Sequence, residues 1–277
     1  MGTGRHRAEP PDVRGLGGAW TRHQRHTSVA PPPDLAVWVD HVWVVAWDYD
    51  APYRQPVVPY PQVHLTFSGG GATVSGVASR YQVKVLEGDG GVLGVAFRPG
   101  GFRPFLGTAV SSLRDRSVDA REVLGAAVPR LPARPTTQDA GPVVAFLRAV
   151  APGPDPLAAQ ATDVVARIAA TPALTRVDAV ARDAGTSVRG LQRLFGGYVG
   201  IGPKWVIRRY RLHEVTRRLA AGEDVGWAGL AHDLGFADQA HLVRDFTKMF
   251  GEPPTRYAAR YGPPGGVPAG PTVGGGA

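Results

Sequence analysis

Short β-branched and aromatic runs separated by glycine turns fill the first hundred residues, and apolar residues recur at helical spacing over the last hundred; together these predict an α+β chain. The third observation is a repeat. Val180-Ala181-Arg182-Asp183-Ala184-Gly185, followed by Leu191-Gln192-Arg193-Leu194-Phe195, returns about 50 positions later as Leu230-Ala231-His232-Asp233-Leu234-Gly235, followed by Leu242-Val243-Arg244-Asp245-Phe246. The expected architecture is a small antiparallel β barrel or sandwich with flanking helices, then an all-α domain with two helix-turn-helix units.

In chain order, residues 1–19 are basic and rich in Gly and Pro, which predicts a disordered arm; with no apolar core they do not form a signal peptide. The N-terminal domain is expected over 20–150. Pro31-Pro32-Pro33 is a stiff lead-in, and Asp34 is placed to cap a short helix through Asp40. Strands are predicted at Val42 to Trp47, Val63 to Phe67, Ala72 to Val77, Tyr81 to Leu86 and Val92 to Phe97, the last two separated by Glu87-Gly88-Asp89-Gly90-Gly91. Helices follow at Val118 to Leu124 and Gln138 to Val150. Pro152-Gly153-Pro154-x-Pro156 predicts a semi-rigid linker over 151–156.

The helical domain is expected over 157–261, and the Gly/Pro-rich residues 262–277 are expected to be disordered. Val177, Val180, Ala181 and Ala184 form one apolar stripe, and Leu191, Leu194, Phe195 and Tyr198 form another; Trp227, Leu230, Ala231 and Leu234, with Leu242, Phe246, Met249 and Phe250, repeat the arrangement. Gly185 and Gly235 stand where a helix needs a left-handed terminating residue, and Ser187 and Asp238 where a side chain caps the next helix. Between the units, Pro203 suits a first turn, Leu212, Val215 and Leu219 line a connecting helix, and Gly222 is placed to end it. Gly196-Gly197 is costly inside a helix, at roughly 1 kcal/mol each against alanine, and predicts an early end to the first recognition helix.

A net charge of +8 favours a polyanionic partner. The chain has no cysteine, which excludes disulfides, thiolate zinc sites and thiol-based alkyl transfer. No run approaches the roughly 20 apolar residues of a membrane span, so a cytoplasmic protein without membrane partners is expected.

Gly200-x-Gly202-Pro203, Arg211-Leu212, Gly235-Phe236-x-Asp238, the twice-written Leu-x-Arg-x-Phe and Gly251-x-Pro253-Pro254-x-x-Tyr257 resemble the C-terminal domain of AraC-type transcription regulators over about 100 residues. Gly202 replaces the usual serine and Val215 the usual alanine, both substitutions the fold tolerates. The resemblance implies two recognition helices presented to successive major-groove segments of promoter DNA. Matching positions are Arg189, Gln192 and Arg193 on the first helix and Gln239, Ala240, Val243 and Arg244 on the second. Arginine pairs bidentately with guanine and glutamine with adenine, which suits that role. Lys204, Arg208 and Arg209, with Arg217 and Arg218, are candidate phosphate contacts on the connecting helix, the alternative being a solvated face. For Arg193 and Arg244 the alternative is an ion pair with Asp183 or Asp233.

The strands and Arg98-Pro99-Gly100-Gly101-Phe102-Arg103-Pro104-Phe105 are similar to the cupin-like N-terminal region of one group of these regulators. That similarity implies a sensor or dimerisation domain with an unknown small-molecule effector, and a homodimer and RNA polymerase as further partners. Trp43, Trp47, His64 and Arg98 are the candidate effector residues, the alternative being simple core and turn roles. His41 and His64 lack the His-x-His pattern of a metal-bearing cupin, so no metal, cofactor or enzyme activity is expected. Two other readings stay open: a cupin-type enzyme with a DNA-binding appendage, which bound metal or turnover would favour, and a regulator whose N-terminal domain binds a protein partner.

Overall fold

The computed structural model describes residues 24–220 and 226–261. The expected arm, the expected tail and the helix end expected at Gly222 lie outside the described residues. The N-terminal region is one six-stranded sheet of β1 (Gln24–Val29), β2 (Val39–Val57), β3 (His64–Ser68), β4 (Gly71–Ser75), β5 (Gln82–Phe97) and β6 (Ser117–Asp119). Its order is β1-β2-β5-β3-β4-β6, and every neighbouring pair is antiparallel. The outer strands β1 and β6 do not pair with each other among the described residues, so the hydrogen bonding shows a sheet and not the closure expected of a barrel.

Alternation puts Val42, Val44, Leu65, Phe67, Val74, Leu93, Val95 and Phe97 on one face, where they are buried with Val143, Phe146 and Leu147 of a covering helix. Two expectations fail here. Residues 33–38 form a turn, and the Asp34 carboxylate is paired instead with Arg148 at 2.6 Å. The run 87–91 does not end the strand either: β5 continues through it with a register shift opposite Tyr49–Tyr53, pairing Gly90 with Trp47 and, further on, Gly94 with Trp43. The cause is steric. A Cβ at Gly90 or Gly94 would stand 2.3 Å and 2.2 Å from the indole of Trp47 or Trp43, so these glycines clear space for two rings lying on the sheet.

The helices are α1 (Arg103–Leu106), α2 (Ala120–Leu124), α3 (Ala140–Ala149), α4 (Pro156–Ala170), α5 (Val177–Asp183), α6 (Val188–Leu194), α7 (Pro203–Ala220), α8 (Trp227–Asp233), α9 (Gln239–Phe250) and α10 (Pro254–Tyr261). Each helix-turn-helix unit has its own core: Leu191, Phe195 and Val206 in the first, Leu230, Leu242 and Phe246 in the second. The sheet region contributes one valine to each, Val77 to the first and Val58 to the second. It also meets both units at glycines that occupy equivalent places in the repeat. A Cβ on Gly200 would come within 2.9 Å of Val110, and one on Gly251 within 2.8 Å of Tyr81. Thr162 Oγ1 and Trp205 Nε1 donate to the Pro99 and Ser79 carbonyls at 2.6 and 2.9 Å, which tie α4 and α7 to the same region.

Candidate nucleic-acid interface

The two units close their turns by the same bonds. Thr186 N–H donates to the Ala181 carbonyl at 2.9 Å, and Phe236 N–H to that of Ala231 at 2.8 Å. Gly185 and Gly235 have φ of 62° and 67°, the left-handed values such a helix end requires. Ser187 Oγ then accepts from Gly190 N–H at 3.0 Å and Asp238 Oδ1 from His241 N–H at 2.6 Å, which caps α6 and α9. The polar turn residues therefore aim the second helix of each unit.

On α6, burial of Leu191 and Phe195 turns Arg189, Gln192 and Arg193 to solvent. On α9, burial of Leu242, Phe246 and Met249 exposes Ala240 and Arg244 and leaves Gln239 and Val243 half-buried. Arg189, Arg193 and Arg244 hold no side-chain hydrogen bond or ion pair to a described residue. The alternative partner of Arg193 is engaged elsewhere, since the Asp183 carboxylate lies 3.0 Å from Arg167 on α4. Past Leu194 the regular helix gives way to a π-helical turn, Phe195–Val199, closed by Gly200 N–H on the Phe195 carbonyl at 2.8 Å. Gly196 and Gly197 lie in that turn, consistent with their cost in a regular helix.

The connecting helix α7 separates its candidate cations sharply. Lys204 is exposed and holds no described partner. Arg208 is paired with Asp245 of α9 at 2.8 Å. Arg217 and Arg218 both grip Glu214, at 2.7 and 3.0 Å, and hold its carboxyl down at about 2. Arg209 must be withdrawn as a phosphate contact. Its side chain is 0 % exposed, its Nε donates to the Pro59 carbonyl at 2.7 Å, and its guanidinium lies 4.1 Å from the centre of the Tyr60 ring. It faces the sheet region because α7 is covered on that side.

Sequence reasoning missed two side chains that set the spacing of the units. Arg211 donates to the Thr175 carbonyl ahead of α5 and, at 3.3 Å, to the Gly235 carbonyl in the second turn, so one guanidinium touches both units. Burial pushes the pKa of Arg211 down. Asp245, buried on α9, has its Oδ2 within ion-pair distance of both Arg208 Nε at 2.8 Å and His241 Nε2 at 3.2 Å. The i, i+4 spacing of His241 and Asp245 was a readable signal; the reach of Arg208 from another helix was not.

Among the candidate effector residues, Trp43 and Trp47 lie on the sheet face opposite the core, with His64 edge-on to Trp43 at 6.1 Å. Arg98 is turned to the Ala36 carbonyl at 2.6 Å. Among the described residues no group of three or more His, Cys, Asp or Glu is placed to hold a metal ion, and no helix is long and apolar enough to cross a membrane.

Residues 180–260 match the family model described as a helix-turn-helix domain, and residues 27–119 match a domain of unknown function, DUF6597. No curated protein matches the chain. Among solved structures, a transcriptional regulator with an AraC-type DNA-binding domain from Chromobacterium violaceum is 24% identical over 38% of this chain and 95% of its own, with a TM-score of 0.34. ToxT from Vibrio cholerae is 10% identical over 86% of this chain and 99% of its own, with a TM-score of 0.42. Unsaturated fatty acid bound ToxT from the same organism is 13% identical over 78% of this chain and 93% of its own, with a TM-score of 0.40. The chain thus carries a helix-turn-helix domain behind a distinct antiparallel sheet region.

Proposed function

We infer that the protein is a sequence-specific DNA-binding transcription regulator of the AraC type. The observation that carries this reading is the duplicated unit: two capped second helices on one spacer, each with an exposed, unpaired arginine at the same place in the repeat, Arg193 and Arg244. An unpaired arginine can meet a ligand directly, whereas one already in an ion pair must first be released. Gln192 and Arg193, with Arg189, read bases or phosphates from the first unit; Gln239 and Arg244, beside Ala240 and Val243, do so less extensively from the second. Lys204 contacts phosphate, and Arg208 does so only at the expense of Asp245.

Residues 157–261 form the DNA-binding domain, residues 20–150 a sensor or dimerisation domain, and 151–156 the linker between them. A small-molecule effector acts on the N-terminal domain, with the aromatic face of Trp43, Trp47 and His64 as its place of contact, and the protein works in the cytoplasm with RNA polymerase, as a homodimer. Only a ligand that favours the folded form raises the melting temperature, so a thermal-shift screen of metabolites tests the effector.

Footprinting on a duplex chosen by the protein from a randomised pool tests the DNA reading. Two protected segments are expected, centred roughly one helical turn, about 10 bp, apart. Affinity should also fall steeply between about 50 and 200 mM salt, because each phosphate contact releases counterions. A single protected segment, or a flat salt response, is incompatible with paired reading heads.

A further inference from the structure

We propose that the sheet region itself takes part in DNA binding: Arg114, together with Lys204, seats the sugar–phosphate backbone in a groove beside the first recognition helix. This rests on the DNA reading above and extends it to a residue outside the helix-turn-helix domain. The groove has a volume of about 390 Å³. Val188, Gln192 and Gly196, spaced four apart along α6 and its π-helical continuation, form one wall; Gly202 and Lys204 form another, and Arg114 stands at the margin. No acidic side chain among the described residues lines it.

Three features together suit this groove to a phosphate backbone. Arg114 and Lys204 are both exposed and hold no side-chain partner among the described residues. Arg134, Arg148, Arg167 and Arg176 are instead engaged by Asp89, Asp34, Asp183 and Asp178, while Arg189 and Arg193 of the adjoining recognition helix are, like Arg114, left without a carboxylate among the described residues. Next, a Cβ built on Gly196 or Gly202 meets nothing within 4 Å, and neither has the left-handed backbone that calls for glycine. Packing does not demand glycine at either place, yet its absence of a side chain keeps the groove clear for a close approach of backbone.

The third feature is that Arg114 is held in place. Its loop is fixed by Arg114 N–H on the Ser111 carbonyl at 3.2 Å, Asp115 N–H on Val77 at 3.0 Å and Gly76 N–H on Arg116 at 3.0 Å. The neighbouring Asp115 makes no ion pair with it among the described residues, and its Oδ1 accepts from Ser79 N–H at 2.6 Å. Gln192 ties the groove to base readout, because it is both on the groove wall and on the exposed face of α6. A duplex read by Gln192 brings its flanking phosphates against Lys204 and Arg114.

The test uses the full chain and a duplex selected by it from a randomised pool, with a scrambled duplex alongside. At about 100 mM salt, Arg114→Ala should weaken both complexes about threefold to tenfold, and should lower the slope of log affinity against log salt by about one. Arg116→Ala is the control on the same loop, since Arg116 Nη1 is already bonded to the Ser112 carbonyl at 3.2 Å; it should change neither quantity. An unchanged slope and affinity for Arg114→Ala, or an equal loss from Arg116→Ala, overturns the groove. If that happens while Arg193→Ala still weakens the selected complex more than tenfold, the DNA reading stands without it. If the wild-type chain selects no sequence at all, the DNA reading falls, and the groove with it.

Discussion

The two helix-turn-helix units are alike up to the turn and different after it. Both close on a left-handed glycine with the same backbone bond, and both start the second helix from a side-chain cap. Beyond that point α6 is 7 residues long and passes into a π-helical turn, with Arg189, Gln192 and Arg193 outward. By contrast α9 is 12 residues long and packs Phe246 and Phe250 against Tyr257, and its buried Asp245 is gripped by Arg208 and His241. Duplication has kept what positions a helix, the turn and the core, and has let the outer face diverge. In this chain polar groups free to meet a ligand gather on the first unit, and internal polar anchoring gathers on the second.

The largest effect that sharpens this contrast concerns stability. Asp245 is 9 % exposed, and removing its carboxylate takes away the negative charge that faces Arg208 at 2.8 Å and His241 at 3.2 Å. Asp245→Ala should cost about 3 kcal/mol in denaturant unfolding, near the lower end for breaking a buried pair. Asp183→Ala in the first unit breaks the pair with Arg167, whose side chains are 46% and 41% exposed, and should cost less than about 1 kcal/mol. Equal losses would remove the claim that the second unit is the internally anchored one.

Binding comes next in size. Arg193→Ala should weaken a specific complex more than tenfold, above about 1.4 kcal/mol, with the circular dichroism of the folded protein unchanged. Arg244→Ala should cost only about threefold, because its neighbours Ala240 and Val243 offer no hydrogen-bonding group to a base edge. Titrations of both variants on one selected duplex decide the ranking. A larger loss from Arg244→Ala would invert the roles assigned to the two units.

Much of the helical half was legible because its signals are local. The stripes, the glycine ends, Ser187, Asp238 and Pro203 each act within a few residues of where they are written, and the structure places each where the spacing predicts. The sheet was harder to read. Gly90 looks like a turn residue until Trp47 is brought over it by pairing with a strand about 40 residues away. The first strand, Gln24–Val29, was missed for the same reason, since its exposed residues carry little apolar alternation and its partner is distant. Arg209 shows the limit at the candidate site. Nothing in its own sequence context separates it from Arg208, and only the docking of Pro59 and Tyr60 on α7 buries one and leaves the other half-exposed.

The smallest expected effect lies on α7, which belongs to both units and so should be indifferent to the contrast between them. Glu214 is held by Arg217 and Arg218, and the bonds from Arg217 first, with those from Arg218, lower its carboxyl from the usual 4.5 to about 2. A depressed carboxylate stabilises the fold fully above its unfolded pKa and loses that contribution as pH falls through the folded value, because the unfolded chain takes up the proton first. The window here runs from 4.5 down to about 2. Arg217 is 58% exposed, so solvent screening keeps the contribution to about 1 kcal/mol. Glu214→Gln should therefore lower stability by about that much at neutral pH, and less than half of the difference should remain at about pH 3. Paired thermal melts of wild type and variant across that range measure it. A difference that stays constant with pH would mean that the two arginines act on Glu214 through packing and not through its charge.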